Sequence, residues 1–314
     1  MNPQAFSSTN LPLAGKFIGK VRDSYQLSNH RRLIITTDRL SAFDKVLQSV
    51  PYKGQVLNQL SEWWFSQLGD IIPNHLISLP DPNALEAIEV TPIPVEVIVR
   101  GYITGVTSTA LWYRYSLGER HIYGYDFPDG LQKNQALQKP IITPTTKGGP
   151  TGHDERLTCN EIVDKGILDS KTWDYIQSCA LAIYEKGQQV AAKSGLLLVD
   201  TKYEFGKDKD GRILLIDEVH TPDSSRFWKK DSYLNRYQEK KEPENFDKEM
   251  VRLEYDKLGF KGEGKAPELS ETFWQSVTDR YIQIYELLTG NTFIRESYPV
   301  EPRLLSNLTK EGFI

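Results

Sequence analysis

Two acidic residues on either side of a predicted hairpin turn have the spacing that most clearly suggests chemistry. The segment LLLVDTKYEFGKDKDGRILLIDEV contains two apolar runs joined through Asp210 and Gly211, a dipeptide typical of two-residue hairpin turns. Such a turn pairs Glu204 with Asp217 on one face of the hairpin. Facing carboxylates destabilise a sheet unless a proton or a cation lies between them, and an oxygen-only ligand pair favours Mg²⁺. The pattern therefore predicts a magnesium site of the kind that bridges nucleotide phosphates.

A lysine on the same strand could contact one of those phosphates. Strand alternation puts Lys202 on the face that carries Glu204, together with Asp200. The alternative is a solvated hairpin whose carboxylates simply face water. A turn longer than two residues would also shift the pairing of the strands.

The segment HTPDSSRFW follows this hairpin directly and brings further polar groups to the same end. It places Asp223, Ser225 and Arg226 on a predicted loop. An arginine fork suits bidentate binding of phosphate, and an aspartate suits sugar hydroxyls. A type I turn capped by the aspartate is the alternative interpretation.

Two other segments carry charges in strand-like surroundings. In PVEVIVRGYITG, Glu96 and Arg100 interrupt a buried-looking strand, and burying them alone would cost several kcal/mol. They are expected to face a cleft, although a structural ion pair would also explain them. In GKVRDSY, Lys20 and Arg22 are expected on one strand face beside Gly19, where they could contact nucleotide phosphates.

Composition limits the kinds of protein that this chain can be. Its 314 residues include 38 Lys and Arg against 42 Asp and Glu, a net charge of −4, which argues against a nucleic-acid-binding surface over the whole molecule. Two cysteines are too few for a disulfide framework. No apolar stretch approaches the roughly 18 residues of a membrane span. The sequence predicts a cytoplasmic protein that binds neither nucleic acid nor a membrane.

Strands and helices must position these side chains. Apolar spacing predicts strands between residues 17 and 50 and again over PVEVIVRGYITG. The proline-punctuated stretch 72–94 is expected to be a connection, and it separates a β-rich lobe, 1–94, from a larger lobe, 95–314. The charged segment around 229–244 receives no helix or strand. The predicted helices are Val56–Leu68, Ser170–Ser194 with Ser170 as its cap, about Asn245–Leu258, and Leu269–Leu288 ended by Gly290.

One long segment, KPIITPTTKGGPTGHDERLT, is rich in Thr, Gly and Pro and predicts a surface loop over 140–158. Part of it, 143–155, is a candidate lid. Its expected flexible points and polar groups are Gly148, Gly149, Gly152, Lys147, His153, Asp154 and Glu155. A loop already held by its prolines is the alternative.

Taken in order, several of these segments resemble the SAICAR synthetase family of de novo purine synthesis: GKVRDSY, DRLSAFD, PVEVIVRGYITG, ITPTTK with HDE, VDTKYEFG and IDEVHTPDSSRFW. The resemblance implies an α+β fold. It implies a β-rich N-terminal lobe similar to ATP-grasp and kinase nucleotide-binding lobes, a larger mixed lobe and C-terminal helices. The implied reaction joins L-aspartate to the carboxylate of carboxyaminoimidazole ribonucleotide. In that reaction ATP would be cleaved to ADP and phosphate through an acyl phosphate. The protein is expected to be a monomer or a small homo-oligomer.

The resemblance also implies roles for individual residues. Glu204 and Asp217 resemble the Mg²⁺ ligands, and Lys202 resembles the catalytic lysine near the transferred phosphoryl group. The implied ATP contacts are Lys20, Arg22, Lys202 and Asp217. The implied contacts to the imidazole nucleotide are Arg100, Ser108, Asp223, Ser225 and Arg226.

One departure from the family pattern affects Ser108. The family strand usually ends in Thr or Ala followed by Gly-Ser, whereas Val106 follows Gly105 here. Ser108, two residues later, is the candidate replacement.

Other classes of protein could hold Mg²⁺ with the same two carboxylates. The alternatives are another Mg-ATP-dependent ligase or kinase, and a non-catalytic nucleotide-binding module.

Overall fold

The computed structural model describes residues 4–43, 45–147 and 154–314, and strands dominate the first part. The first elements are β1 (Phe17–Ile18), β2 (Arg22–Leu27), β3 (Arg31–Thr36), β4 (Arg39–Ala42), β5 (Lys45–Ser49), α1 (Lys53–Gln67), β6 (Leu76–Asp81) and β7 (Ala84–Ile88). An antiparallel sheet has the order β1-β2-β3-β7-β6, and β4 pairs with β5. The predicted β-rich start and first helix are confirmed, although α1 begins earlier, at Lys53.

The prediction of a plain connection over 72–94 was wrong, because β6 and β7 lie within it. Pro80 lies within β6, and a proline usually indicates that a stretch is not part of a sheet. β6 lies at the edge of its sheet, where a missing N–H leaves no inner partner unsatisfied.

A second, seven-stranded sheet forms the centre of the molecule. The elements of this region are β8 (Thr91–Pro92), β9 (Val95–Ile103), α2 (Leu111–Ser116), β10 (His121–Ile122), β11 (Tyr125–Asp126), β12 (Gln135–Ile142), β13 (Thr145–Thr146), α3 (Cys159–Asp164), α4 (Ser170–Lys193), β14 (Leu196–Lys207), β15 (Ile213–Ile216) and β16 (Ser225–Lys229). The long strand β14 pairs with β8, β9, β15 and β16, all antiparallel. Side chains from β9, β15 and β16 are therefore brought to the same strand.

The side chains of strand β14 point alternately into the core and to the opposite face of the sheet. Tyr203 and Phe205 are fully buried and pack in the main hydrophobic core with residues of α4. Lys202 and Glu204 alternate with them and point to the other face. A register shift after Leu198 lets that residue join the core although its number is even.

The C-terminal third is helical, as predicted. Its helices are α5 (Lys230–Gln238), α6 (Glu249–Lys257), α7 (Glu271–Thr289) and α8 (Val300–Lys310). Helix α7 ends at Gly290, whose φ is +72°, and α6 begins four residues later than the predicted Asn245. Helix α5 occupies the segment predicted only as charged. Helix α8 was not predicted, and its Leu304 packs with Leu33 of the first sheet.

Two local predictions need correction. Asp169, not Ser170, caps α4, because its carboxylate accepts the Thr172 N–H at 2.9 Å. The segment 140–158 is not one continuous loop, since β12 extends to Ile142 and β13 follows it. Gly148, Gly149, Gly152 and His153 lie outside the described residues.

No helix in the described ranges has both the length and the apolar character needed to cross a bilayer. The division into lobes 1–94 and 95–314 stays a prediction. The observed α+β architecture agrees with the predicted fold class.

Candidate active site

The hairpin of β14 and β15 does not have the predicted register. Glu204 lies opposite Ile216 rather than Asp217, and Lys207 lies opposite Ile213. The cause is a three-residue loop closed by the hydrogen bond from the Asp208 N–H to the Arg212 carbonyl, 3.1 Å long. The predicted two-residue turn was wrong because it overlooked Asp208, whose carboxylate also accepts the backbone N–H groups of Asp210 and Arg212.

Asp217 nevertheless reaches the same group as Glu204. It follows the last residue of β15 with a φ of +69°, so the backbone leaves the regular strand at this point. Its Oδ2 accepts a hydrogen bond from the Lys202 ammonium at 3.1 Å, and the same ammonium bonds to Glu204. The two carboxylates thus meet around one lysine.

Three cations balance the charge of these carboxylates. Arg22 pairs with Asp217, and also with Glu218 at 3.2 Å, while Lys147 pairs with Glu204. Burial alone would raise the pKa of Asp217, but Arg22, Lys202 and Lys147 hold it well below its usual value. The Asp217 carboxylate is therefore ionised at neutral pH.

The donor set at this point fits Mg²⁺. Glu204 and Asp217 offer oxygen ligands, and Mg²⁺ is commonly held by one or two carboxylates together with substrate phosphates and water. The described residues contain no group of three or more His, Cys, Asp or Glu side chains arranged to hold a metal ion by themselves. A divalent cation bound by these two carboxylates would complete its coordination with water or with nucleotide phosphates.

The predicted nucleotide-side residues occupy different places. Arg22 is the first residue of β2 and pairs with Asp217, whereas Lys20 lies in the exposed bend before β2. The expectation that both share one strand face was therefore wrong, because β2 begins only after Lys20.

A pocket of about 200 Å³ lies directly beside Lys202. Four of the predicted substrate contacts line it, namely Arg100, Asp223, Ser225 and Arg226. Ser108 is in an exposed turn and is not among the lining residues, whereas Thr107 and Thr109 on either side of it are. The serine of the family pattern thus has two threonine hydroxyls as candidate replacements.

Two arginines in this pocket are held by one buried carboxylate. Asp200 Oδ2 accepts a hydrogen bond from Arg100 at 3.1 Å and another from Arg226. Arg100 also donates to the Thr143 hydroxyl at 2.8 Å. Arg100 therefore forms a structural ion pair with Asp200 rather than with Glu96 of its own strand, and it still lines the cleft. Two guanidinium groups held in this way are suited to bind an anion.

Several other charged residues at this site had no predicted role. Lys248, Arg252 and Asp247 line the pocket, and Glu249 lies next to Arg226 at 3.6 Å. Burial and the neighbouring Glu249 raise the pKa of Asp247 to about 7. Because cationic side chains outnumber carboxylates in the lining, the pocket favours an anionic ligand. These residues lie in or just before α6, where their spacing resembles that of an ordinary solvated helix.

Gly105 allows the chain to approach Arg226 closely. Its φ is +91°, and a Cβ at this position would lie 2.6 Å from the Ala110 Cβ and 3.3 Å from an Arg226 Nη atom. A larger residue would therefore disturb both the turn and the arginine.

Comparison with known proteins gives consistent results. A sequence model of the family described as SAICAR synthetase matches residues 16–269. The phosphoribosylaminoimidazole-succinocarboxamide synthase of Legionella pneumophila strain Lens is 48% identical over 309 residues, which cover 98% of each chain. The chloroplastic synthase of Arabidopsis thaliana is 45% identical over 97% of this chain and 75% of its own length.

Solved structures resemble this fold as well. One is described as SAICAR synthase from Saccharomyces cerevisiae complexed with SAICAR. It is 31% identical with a TM-score of 0.77, covering 92% of this chain and 99% of the other. A second, described as a SAICAR synthetase in complex with ADP, is 26% identical with a TM-score of 0.68, covering 89% of this chain and all of the other.

Proposed function

The chain belongs to the SAICAR synthetase family, and we propose that Lys202 marks the point in its active site where ATP meets the imidazole nucleotide. The chain is an ATP-dependent ligase of purine biosynthesis that joins L-aspartate to carboxyaminoimidazole ribonucleotide to give SAICAR, ADP and phosphate. One observation carries the proposed arrangement. Lys202 contacts both Glu204 and Asp217 and also lines the cationic pocket, so it links the two halves of the site.

Glu204 and Asp217 would hold Mg²⁺ together with the ATP phosphates, with Arg22 and Lys20 on the nucleotide side. Bound Mg²⁺ would neutralise charge on the transferred phosphoryl group. The Lys202 ammonium stays protonated, since Glu204, Asp217 and Glu96 raise its pKa well above the usual value against the effect of burial. Lys202 can therefore stabilise negative charge on the phosphoryl group without giving up a proton.

The pocket beside Lys202 would hold the imidazole nucleotide. We assign Arg226 to its phosphate, Asp223 to its ribose and Arg100 to the imidazole end. Ser225 is retained as a neighbouring contact, although its hydroxyl donates to the Thr201 hydroxyl at 2.8 Å. Thr107 and Thr109 are proposed in place of Ser108, since they line the pocket.

The reaction needs an activated carboxylate, because a carboxylate is a poor electrophile until one of its oxygens can leave. A substrate carboxylate oxygen attacks the γ-phosphorus of ATP, and ADP leaves. The aspartate amine then attacks the carbonyl carbon of the acyl phosphate and loses a proton. Phosphate leaves and carries away the carboxylate oxygen that had attacked the γ-phosphorus. Lys202 and Arg100 would orient the reacting groups and offset their charge, while Arg226 would anchor the substrate through its phosphate.

An ADP-release assay with substrate omissions tests this function. ADP should form over many turnovers only when L-aspartate and the imidazole nucleotide are both present, because the acyl phosphate has no acceptor without aspartate. Sustained ADP formation with the imidazole nucleotide alone would indicate a kinase, and ATP binding without turnover would indicate a nucleotide-binding module. A cytoplasmic location and a monomeric or small homo-oligomeric state stay predictions from the sequence.

A further inference from the structure

A fully buried lysine lies at the start of α1, behind the pocket wall. The Lys53 side chain has no exposed surface, and its Nζ lies 2.8 Å from Asp223 Oδ2. The centroid of the Tyr281 ring lies 5.8 Å from its ammonium. Burying an ammonium costs several kcal/mol unless a carboxylate compensates for it, so Lys53 and Asp223 depend on each other.

Asp223 is held from three parts of the chain. The Tyr281 hydroxyl of α7 donates a hydrogen bond to Oδ1 at 2.6 Å, while Lys53 of α1 pairs with Oδ2. Lys248, just before α6, lies 3.7 Å from the same Oδ2. Only 4% of the Asp223 side chain is exposed, yet the residue lines the pocket. Lys53 and Tyr281 therefore hold its two oxygens from outside the pocket lining, while Lys248 approaches Oδ2 from within that lining.

We propose that Lys53 is a positioning residue that sets the Asp223 carboxylate for the imidazole nucleotide, so that α1 contributes to the affinity for that substrate without touching it. This inference rests on the proposed function, which assigns Asp223 to the ribose. An ionised and fixed acceptor binds hydroxyl groups better than a carboxyl that must be reoriented at each binding event. Tyr281 assists by holding the second oxygen.

The test compares variants by separate KM values for the two nucleotides. Lys53→Met removes the charge and keeps much of the side-chain length. It should raise the KM for carboxyaminoimidazole ribonucleotide by about tenfold or more and leave the KM for ATP within about twofold. Tyr281→Phe keeps the ring and removes only the hydroxyl, so it should shift the same KM by a smaller factor. It also provides the readout if Lys53→Met fails to fold.

A matched control separates positioning from support of the helix. Gln55, also buried in α1, donates a hydrogen bond to the Ile294 carbonyl at 2.8 Å, away from Asp223. Gln55→Ala should lower Tm and leave both KM values unchanged. The inference is overturned if Lys53→Met and Tyr281→Phe, like this control, change only Tm, or if they raise both KM values equally.

A double-mutant cycle distinguishes failure of the inference from failure of the assignment on which it rests. In the Asp223→Asn background, adding Lys53→Met should raise the KM for the imidazole nucleotide by less than about threefold, because the group that it positions is already altered. If Asp223→Asn alone leaves that KM unchanged, the assignment of Asp223 to the ribose is wrong, and the inference is overturned with it. If Asp223→Asn raises the KM and Lys53→Met does not, only the inference is wrong.

Discussion

Lys202 is the charged side chain that connects most of the other charged groups of this site. Its ammonium contacts Glu204 and Asp217 and lies 3.7 Å from Glu96, so one cation neutralises part of a strongly acidic cluster. Arg22 and Lys147 supply the remaining compensation. The carboxylates are therefore already stabilised before a metal ion binds, and this changes what their removal should do.

Asp217→Asn should cost both activity and stability. Loss of a metal ligand should lower kcat by about a hundredfold or more at limiting Mg²⁺. Removing one of two neighbouring carboxylates would by itself relieve their repulsion. In Asp217→Asn, however, Arg22 and Lys202 also lose a counter-ion. The free energy of unfolding in metal-free buffer should therefore fall by about 1–2 kcal/mol. Urea unfolding and Mg²⁺ titrations of activity measure both effects.

Asp210→Asn, in the exposed loop of the same hairpin, is the control for this variant and should change neither quantity. Near-normal activity of Asp217→Asn at limiting Mg²⁺ would mean that the metal site lies elsewhere.

Arg226→Lys should weaken the binding of the imidazole nucleotide and leave that of ATP unchanged. Lysine keeps the charge but loses the planar fork, so the KM for that substrate should rise by about tenfold, while the KM for ATP stays constant. Arg212→Lys, at an exposed arginine in the hairpin loop, should change neither value. A defect confined to ATP would move Arg226 to the other half of the site.

For single residues, the sequence predicted which side chains belong to the site better than it predicted their contacts. Arg100, Asp223 and Arg226 do line one pocket, because strand alternation and a loop directly after a strand limit where a side chain can go. Lys53 and Lys147 could not be assigned from the sequence. A lysine at a helix start or in a polar loop is normally solvated, and only the tertiary fold brings these two to Asp223 and Glu204.

At the scale of elements, hairpin β14–β15 shows how one residue alters a prediction. The three-residue loop moved the pairing by one position, which alone would have turned Asp217 away from Glu204. The left-handed backbone at Asp217 restores the approach. Neither the Asp208 contacts that set the loop nor this backbone turn has a reliable signature in the sequence. The strongly periodic helices α1, α4 and α7, by contrast, were predictable.

The corrected cap of α4 has a measurable consequence. Asp169 accepts hydrogen bonds from the Thr172 N–H and from its hydroxyl, whereas Ser170 is the first helical residue. Asp169→Ala should lower the free energy of unfolding measured in urea, because the helix loses its capping acceptor. Ser170→Ala serves as the matched control and should lower it by much less. Equal losses in the two variants would mean that both residues cap the helix.

At the scale of the whole molecule, buried titrating groups make stability depend on pH. Burial lowers the pKa of His220 to about 3 and that of His75 to about 4, so both are neutral in the folded protein. In the unfolded chain they take up protons near pH 6.5, and acidification below that pH therefore favours unfolding. Asp247 has the opposite sign, since its raised pKa makes protonation favour the folded state.

Comparison with a variant isolates one of these opposing contributions. Between pH 6 and 5, His220 should make the free energy of unfolding fall by up to about 1.4 kcal/mol per pH unit. His220→Gln should remove that part of the slope in urea unfolding series. An unchanged slope in His220→Gln would show that His220 already titrates normally in the folded protein.

The fate of a labelled oxygen atom shows whether the substrate carboxylate is activated by phosphorylation. In the proposed mechanism a carboxylate oxygen of the imidazole nucleotide attacks ATP beside Lys202 and later leaves with the phosphate. Substrate whose carboxylate oxygens carry a heavy isotope should therefore yield inorganic phosphate with one labelled oxygen per turnover, measured by mass spectrometry. Phosphate without the label, formed together with SAICAR, would rule out this mechanism, because the carboxylate would not have been activated by phosphorylation.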